Sequence, residues 1–329
     1  MDVKLPIGNE LTTSIKKVLD FKYDSYTISR GDDVLRSAFS SAHKECEDWL
    51  AASQLIARSM PLAPSIDNFV DVHKNNPAVS YCAKAAITRC ILAAEQKSSI
   101  YVNPDNVTNS IDFEKNKSIW HTLFFRIITM YSTVDDLAVR LREIAIVVFN
   151  YDRCFEHFLF HAIKTYYKIP NAVAAQILSN LEIYHAYGQV GELPFNAKGN
   201  PVAYGEEVGP YRILEISKQI RTFTESVSEE SEEVQLIRDR VINSKSLIFL
   251  GFAFHPLNVS LLFGANPYGN TQYDKRVYGT ALHSSKSDLN AIAWDLKVKY
   301  NCQSESIELR SDLKCDGLLT EYSRSLALA

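Results

Sequence analysis

One stretch constrains this chain more than any other: Ile144-Ala-Ile-Val-Val-Phe-Asn-Tyr-Asp-Arg-Cys-Phe-Glu-His-Phe-Leu-Phe-His-Ala-Ile163. Its opening, Ile144 to Phe149, is unbroken hydrocarbon rich in β-branched side chains. That pattern predicts a strand covered on both faces inside a parallel sheet. After Asp152 the period changes, and Tyr151, Phe155, Phe158, Leu159, Ala162 and Ile163 recur at helical spacing on one face. Asn150-Tyr151-Asp152 therefore stands at the carboxyl end of a strand, where open α/β sheets bind ligands. Two readings stand side by side here. Either these polar groups face a crevice, or Asn150 caps the helix and Asp152 complements the dipole of its first turn.

The same alternation continues to the end of the chain. Leu181–Tyr184 is a strand candidate leading into His185-Ala-Tyr-Gly188, and Lys245–Gly251 is another leading into Gly251-Phe252-Ala253. Arg276–Leu282, a helix carrying Leu289, Ile292, Ala293 and Leu296, an edge strand at Ser306–Leu309 and a helix over Leu313–Ala327 complete the order. Strand and helix in turn predict an α/β fold: a Rossmann-like parallel sheet with helices on both faces, with residues 144–329 as its core. Parallel strands point the same way, so the three turns are expected to converge on one rim. His185 is either a ligand partner there or a histidine bonded to a loop carbonyl. Gly251 lets backbone approach a ligand closely.

The chain before residue 144 reads differently. Leu5–Leu11 is a turn opening a helix, with Asn9 as its cap. Asp32–Ala57, Pro77–Gln96, Ser118–Tyr131 and Thr133–Arg142 all read as helices, so residues 30–140 form a large helical insertion within a single domain spanning 1–329. Pro61, Pro64 and Ser65-Ile-Asp-Asn-Phe69 interrupt this block. Ile66 and Phe69 are expected to pack inward, and Asp67 to cap a helix or face water. His121, beside a dense apolar stripe, reads as a surface or internally satisfied histidine. Asn196–Gly209 is a polar, Gly-rich loop, and Glu225–Glu233 is a solvated helix start in which Ser226 and Glu229 can form a capping box.

Composition narrows the function classes. Basic residues number 35 against 39 acidic ones, a net charge of −4, which argues against a nucleic-acid-binding surface over the whole protein. No apolar run approaches about 20 residues, so no membrane span is expected. The N-terminus carries no apolar signal segment. Six scattered cysteines without a C-x-x-C pair read as reduced thiols of a cytoplasmic protein and exclude a paired-cysteine zinc site.

Taken in order, the strand ending in Asn150-Tyr151-Asp152, the strand leading to His185-x-Tyr187-Gly188, and Gly251-Phe252-Ala253 after a third apolar strand resemble the sirtuin-like NAD-cleaving domains of bacteria. Many of those act in defence against phage. The resemblance covers nearly the whole chain, including the Ser65–Phe69 segment. It implies NAD as substrate, with Asn150 holding the nicotinamide ribose and the attacking water. Asp152 would lie near the carboxamide, and His185 would be the catalytic base or the partner of a ribose hydroxyl. It further implies Pro6, Gly8, Tyr151, Gly251, Phe252 and Ala253 as NAD-binding positions, the last three on the adenosine side, and a homo-oligomer or a partner defence protein. The four-cysteine zinc module of the family's protein deacylases is missing, so no zinc is expected and NAD hydrolysis is favoured over peptide deacylation. The family's Gly-Ala-Gly-Ala-Ser pyrophosphate loop and the strand before it are also missing, since Leu5–Leu11 resembles the segment that normally comes directly after that loop. A non-catalytic sensor of NAD or ADP-ribose and an inactive remnant are the alternative readings.

Overall fold

The computed structural model describes residues 3, 8–24, 27–28, 30–42, 46–106, 109–222, 225, 231–264 and 275–326. It is mixed α/β, Rossmann-like in class, with many helices and small parallel sheets. The chain forms two compact units, and each is described by itself. The first comprises Met1–Asp112, Asn150–Gln176 and His185–Ser226; the second comprises Phe113–Phe149, Ile177–Tyr184 and Val227–Ala329. This division cuts across the boundary at residue 144.

The first unit is helical. Helices α1 (Gly8–Leu19), α2 (Asp33–Ser41), α3 (Trp49–Ser59) and α4 (Ile66–Val72) precede the long α5 (Pro77–Lys97). A two-residue antiparallel pair, β1 (Tyr23–Asp24) and β2 (Thr27–Ile28), lies between α1 and α2 and has no signal in the hydrophobic pattern. The single helix expected over Asp32–Ala57 is two, because α2 ends at Ser41 and α3 starts only at Trp49. Helix α5 organises the unit. Its buried residues (Ala78, Ala83, Ala85, Ile87, Ile91 and Leu92 among them) are distributed around the cylinder, which is how a helix enclosed by neighbours reads. The small alanines let α1 and α3 approach it closely.

At its C-terminal end α5 carries Glu95, which is fully buried together with Arg153. Arg153 Nε and Nη2 donate to the two Glu95 carboxylate oxygens at 3.1 and 2.5 Å. Its remaining N–H groups meet the carbonyls of Gly191 (3.3 Å), Val202 (2.6 Å) and Ala203 (3.1 Å). The backbone amides of Arg153 and Gly205 complete the carboxylate's shell at 3.1 and 2.9 Å. Thus the polar loop of residues 196–209 is pinned by its carbonyls to one guanidinium. Arg153 immediately precedes α6 (Cys154–Tyr167), which is the helix expected after Asp152. Helix α7 (Pro210–Ser217) packs against α5 and α2.

The second unit holds the remaining strands. Strands β3 (Ala145–Val148) and β4 (Glu182–His185) pair with each other; the last residue of β4 is counted with the first unit. Strands β5 (Ser246–Phe249), β6 (Arg276–Thr280) and β7 (Ile307–Arg310) form a separate parallel sheet in that order, with Phe249 opposite Gly279 and Gly279 opposite Leu309. Paired among the described residues with β4, β3 is half-buried along its length rather than sealed on both faces. The carboxyl ends of β3 and β5 nevertheless meet, as the rings of Phe149 and Phe252 lie 5.0 Å apart. Buried Lys275 donates to Ile242 O and Tyr300 O, both at 3.0 Å, placing a cation on the free carbonyls that end helices Glu232–Asn243 and Lys286–Tyr300. The helix expected over Leu313–Ala327 is broken at Tyr322 into Cys315–Glu321 and Ser323–Leu326. The proposed Ser226–Glu229 capping box lies outside the described residues. No helix among the described residues is long and apolar enough to cross a membrane.

Removing one partner of the fully buried pair strands a charge in hydrocarbon. Arg153→Ala is expected to destabilise the fold by about 3–5 kcal/mol, read from urea unfolding. Arg153→Lys is expected to recover only part of this, since an ammonium cannot reproduce the planar fork that meets Glu95 and three carbonyls at once.

Candidate functional site

The turn between β3 and α6 distributes four consecutive side chains to four fates. Asn150 is exposed. Tyr151 is buried and its hydroxyl donates to the Asp67 carboxylate. Asp152 is half-buried and accepts from Cys154 N at 3.1 Å, the bond of a residue that begins a helix. Arg153 binds Glu95, as described above.

His185 closes β4 and is 8% exposed. The turn after it is fixed by Gly188, whose amide donates to His185 O at 2.9 Å. Gly188 has φ +74°, and a Cβ there would stand 1.9 Å from Gln219 O, so only glycine passes. The imidazole bonds a carboxylate, its Nε2 lying 3.0 Å from Oε1 of Glu156 in the first turn of α6, and the main chain of Asn150 also acts on the ring as a hydrogen-bond partner. Glu156 is buried as well. Glu156 Oε2 is buried and has no hydrogen-bond partner among the described residues, whereas the second ring nitrogen of His185 is left to the Asn150 main chain. An unmet buried polar atom costs about 1–3 kcal/mol, so the Glu156 oxygen calls for a partner.

The electrostatics arise from this crowding. Burial, with the charges of Glu95 and Glu156 behind it, lifts the Asp152 carboxyl to about 6 against its hydrogen bond from Cys154. Burial works against a charged His185, yet the charge and hydrogen bond of Glu156, with the charge of Asp152 behind them, raise its pKa overall. Other histidines behave in the opposite sense. Burial takes His121 down to about 3 and His161 to about 4, and holds His157 well below its usual range. His121 is therefore a buried, neutral ring stacked on Trp120, not a surface one.

Of the residues singled out in the sequence, Asp152 and His185 come within each other's electrostatic reach, and the turn holding Asn150 and Tyr151 is the one that holds Asp152. Gly251, Phe252 and Ala253 belong to the second unit. Gly251, at φ +65°, donates its amide to Thr280 Oγ1 at 2.8 Å, so that N–H is already engaged. Phe252 packs among Phe149, Phe249 and Phe254, and Ala253 is exposed. Gly8 is the first residue of α1, and Pro6 lies outside the described residues.

Two residues of the cluster were missed. Glu156 reads in the sequence as one more acid in a first helical turn, although its spacing of i+4 from Asp152 was a signal that both address one side of the helix start. Asp67 neither caps nor faces open water: Ser65 caps α4, its side chain accepting from Asn68 N at 3.1 Å, and Asp67 accepts from Tyr151. Among the described residues no three His, Cys, Asp or Glu side chains are grouped to hold a metal ion. No family model, curated protein or solved structure matches this chain.

A carboxyl raised to about 6 binds its proton more tightly folded than unfolded. Stability is therefore lost as pH climbs from the unfolded carboxylate's value, about 3.9, through that folded value. Asp152→Asn keeps the acceptor for Cys154 N and removes the penalty. Its thermal midpoint is expected to exceed that of the parent near pH 8, with the gap closing as pH falls toward about 4, read by circular dichroism.

Proposed function

We propose that this protein hydrolyses NAD at the bond between nicotinamide and ribose. The single observation that carries the reading is the His185–Glu156 pair. A buried strand-end imidazole is braced on one nitrogen by a buried carboxylate, beside a turn carrying Asn150 and Asp152. The order of motifs that resembles sirtuin-like NAD-cleaving domains supports the same assignment.

The chemistry suits these groups. Water adds to the anomeric carbon of the nicotinamide ribose as the carbon–nitrogen bond breaks. The bonding pair passes to the pyridinium ring, which leaves as neutral nicotinamide, and ADP-ribose and a proton remain. The leaving group needs no acid, because its positive charge is discharged by departure. What the site supplies is orientation, stabilisation of an oxocarbenium-like centre and a place for the water's proton. Asn150 offers an amide to ribose hydroxyl and water. His185 Nδ1 takes the proton or holds a ribose hydroxyl, with Nε2 fixed on Glu156. The carboxylates of Asp152 and Glu156 place negative charge near the developing cation. The buried Glu156 oxygen that lacks a partner among the described residues fits a ligand that brings hydroxyl groups.

The test is release of nicotinamide and ADP-ribose from NAD, followed chromatographically. His185→Ala is expected to lower kcat by about 10²–10⁴-fold, and Asn150→Ala to lower it comparably; equal rates for parent and both variants refute the assignment. Glu156→Gln gives a sign as well as a size. Without the carboxylate's charge His185 loses its proton more readily, so the acid limb of the kcat/KM profile is expected to move to lower pH.

A further inference from the structure

We propose that Asp67 is a positioning residue of this site: its carboxylate ties Tyr151, in the turn after β3, to helix α4 and so sets Asn150 and Asp152 against His185. The inference rests on the hydrolase reading for its kinetic consequence, but not for its geometry.

Three observations carry it. Tyr151 lies between Asn150 and Asp152, is 4% exposed, and donates its hydroxyl to Asp67. Thus a side chain of the helical block addresses the middle of the Asn150–Asp152 motif, across 84 residues of sequence. The helix itself does not need Asp67 as a cap, because Ser65 serves. Burial raises the Asp67 carboxyl and the Tyr151 bond pulls it back, so the hydroxyl is what offsets the cost of enclosing this acid. Tyrosine, with two side-chain torsions, is a stiff arm: moving its tip moves the turn that carries it.

The experiment compares the parent with Asp67→Ala, Asp67→Asn, Tyr151→Phe and the double variant Asp67→Ala/Tyr151→Phe, using only preparations whose circular dichroism shows a folded protein. Asp67→Ala and Tyr151→Phe are each expected to lower kcat about 10–100-fold with KM for NAD nearly unchanged, the signature of lost orientation. The double variant is expected to be no worse than the weaker single one, because both remove the same contact. Asp67→Asn, which keeps an acceptor oxygen, is expected to recover most of the rate. In parallel, the ring resonance of His185 is read by NMR without substrate and is expected to shift in Asp67→Ala. Folded Asp67→Ala with parental kcat and an unmoved His185 resonance overturns the proposal. If the parent itself leaves NAD intact, the hydrolase reading falls, and the resonance alone decides the positioning role.

Discussion

The first unit depends on one enclosed ion pair. Arg153 and Glu95 are both sealed from solvent, and desolvating two such charges costs several kcal/mol each. Their attraction offsets this only because the geometry leaves nothing unmet: every N–H of the guanidinium has an acceptor, and the carboxylate takes two main-chain amides as well. That pair joins the end of α5, the start of α6 and the polar loop near residue 200. Arg153 follows Asp152 directly, so the point of greatest mechanical constraint is one peptide from the candidate chemistry. A strand-end turn is ordinarily among the looser parts of an α/β fold. This one is fastened by Tyr151 to α4 and by Arg153 to α5.

The constraint also fixes the electrical character of the site. Glu95, Asp152 and Glu156 gather around the first turn of α6, and the permanent cation Arg153 is committed to Glu95. Burial, and after it the neighbouring carboxylates, push Asp152 toward neutrality, while the charge and hydrogen bond of Glu156 draw His185 toward the charged form against its own burial. A raised imidazole beside a carboxyl lifted to about 6 can pass or hold a proton near neutral pH, and that is what an acid–base site requires.

Local pattern exposed the elements but not their partners. Hydrophobic runs marked β3, β5 and β6 to within a residue or two, although β3 is half-buried and Ile248 of β5 is exposed. Pairing is not written there, and the break between the β3–β4 ladder and the β5–β6–β7 sheet had no signal. Glu95 has the look of an ordinary acid near a helix end, since the arginine that buries it lies 58 residues away. Asp67 was legible as a helix-start residue and was one, but Ser65 took the capping role and freed the carboxylate for Tyr151. Gly251 was rightly marked as special backbone, at φ +65°, yet its amide meets Thr280. In each case composition told what kind of residue was needed, and long-range packing told whom it met.

His185 and Arg153 present a contrast that bears on what the site is for. Both are buried polar side chains held by a glutamate, and Arg153 and Glu156 lie within the same turn of chain. At Arg153 every donor is satisfied, as a purely structural network demands. At the His185–Glu156 pair one carboxylate oxygen, Glu156 Oε2, is left without a partner among the described residues. The fold thus saturates one buried polar group and leaves another short within three residues of chain. An unspent buried acceptor is what a ligand-binding site requires, because a group that must meet a ligand cannot be spent on the protein itself.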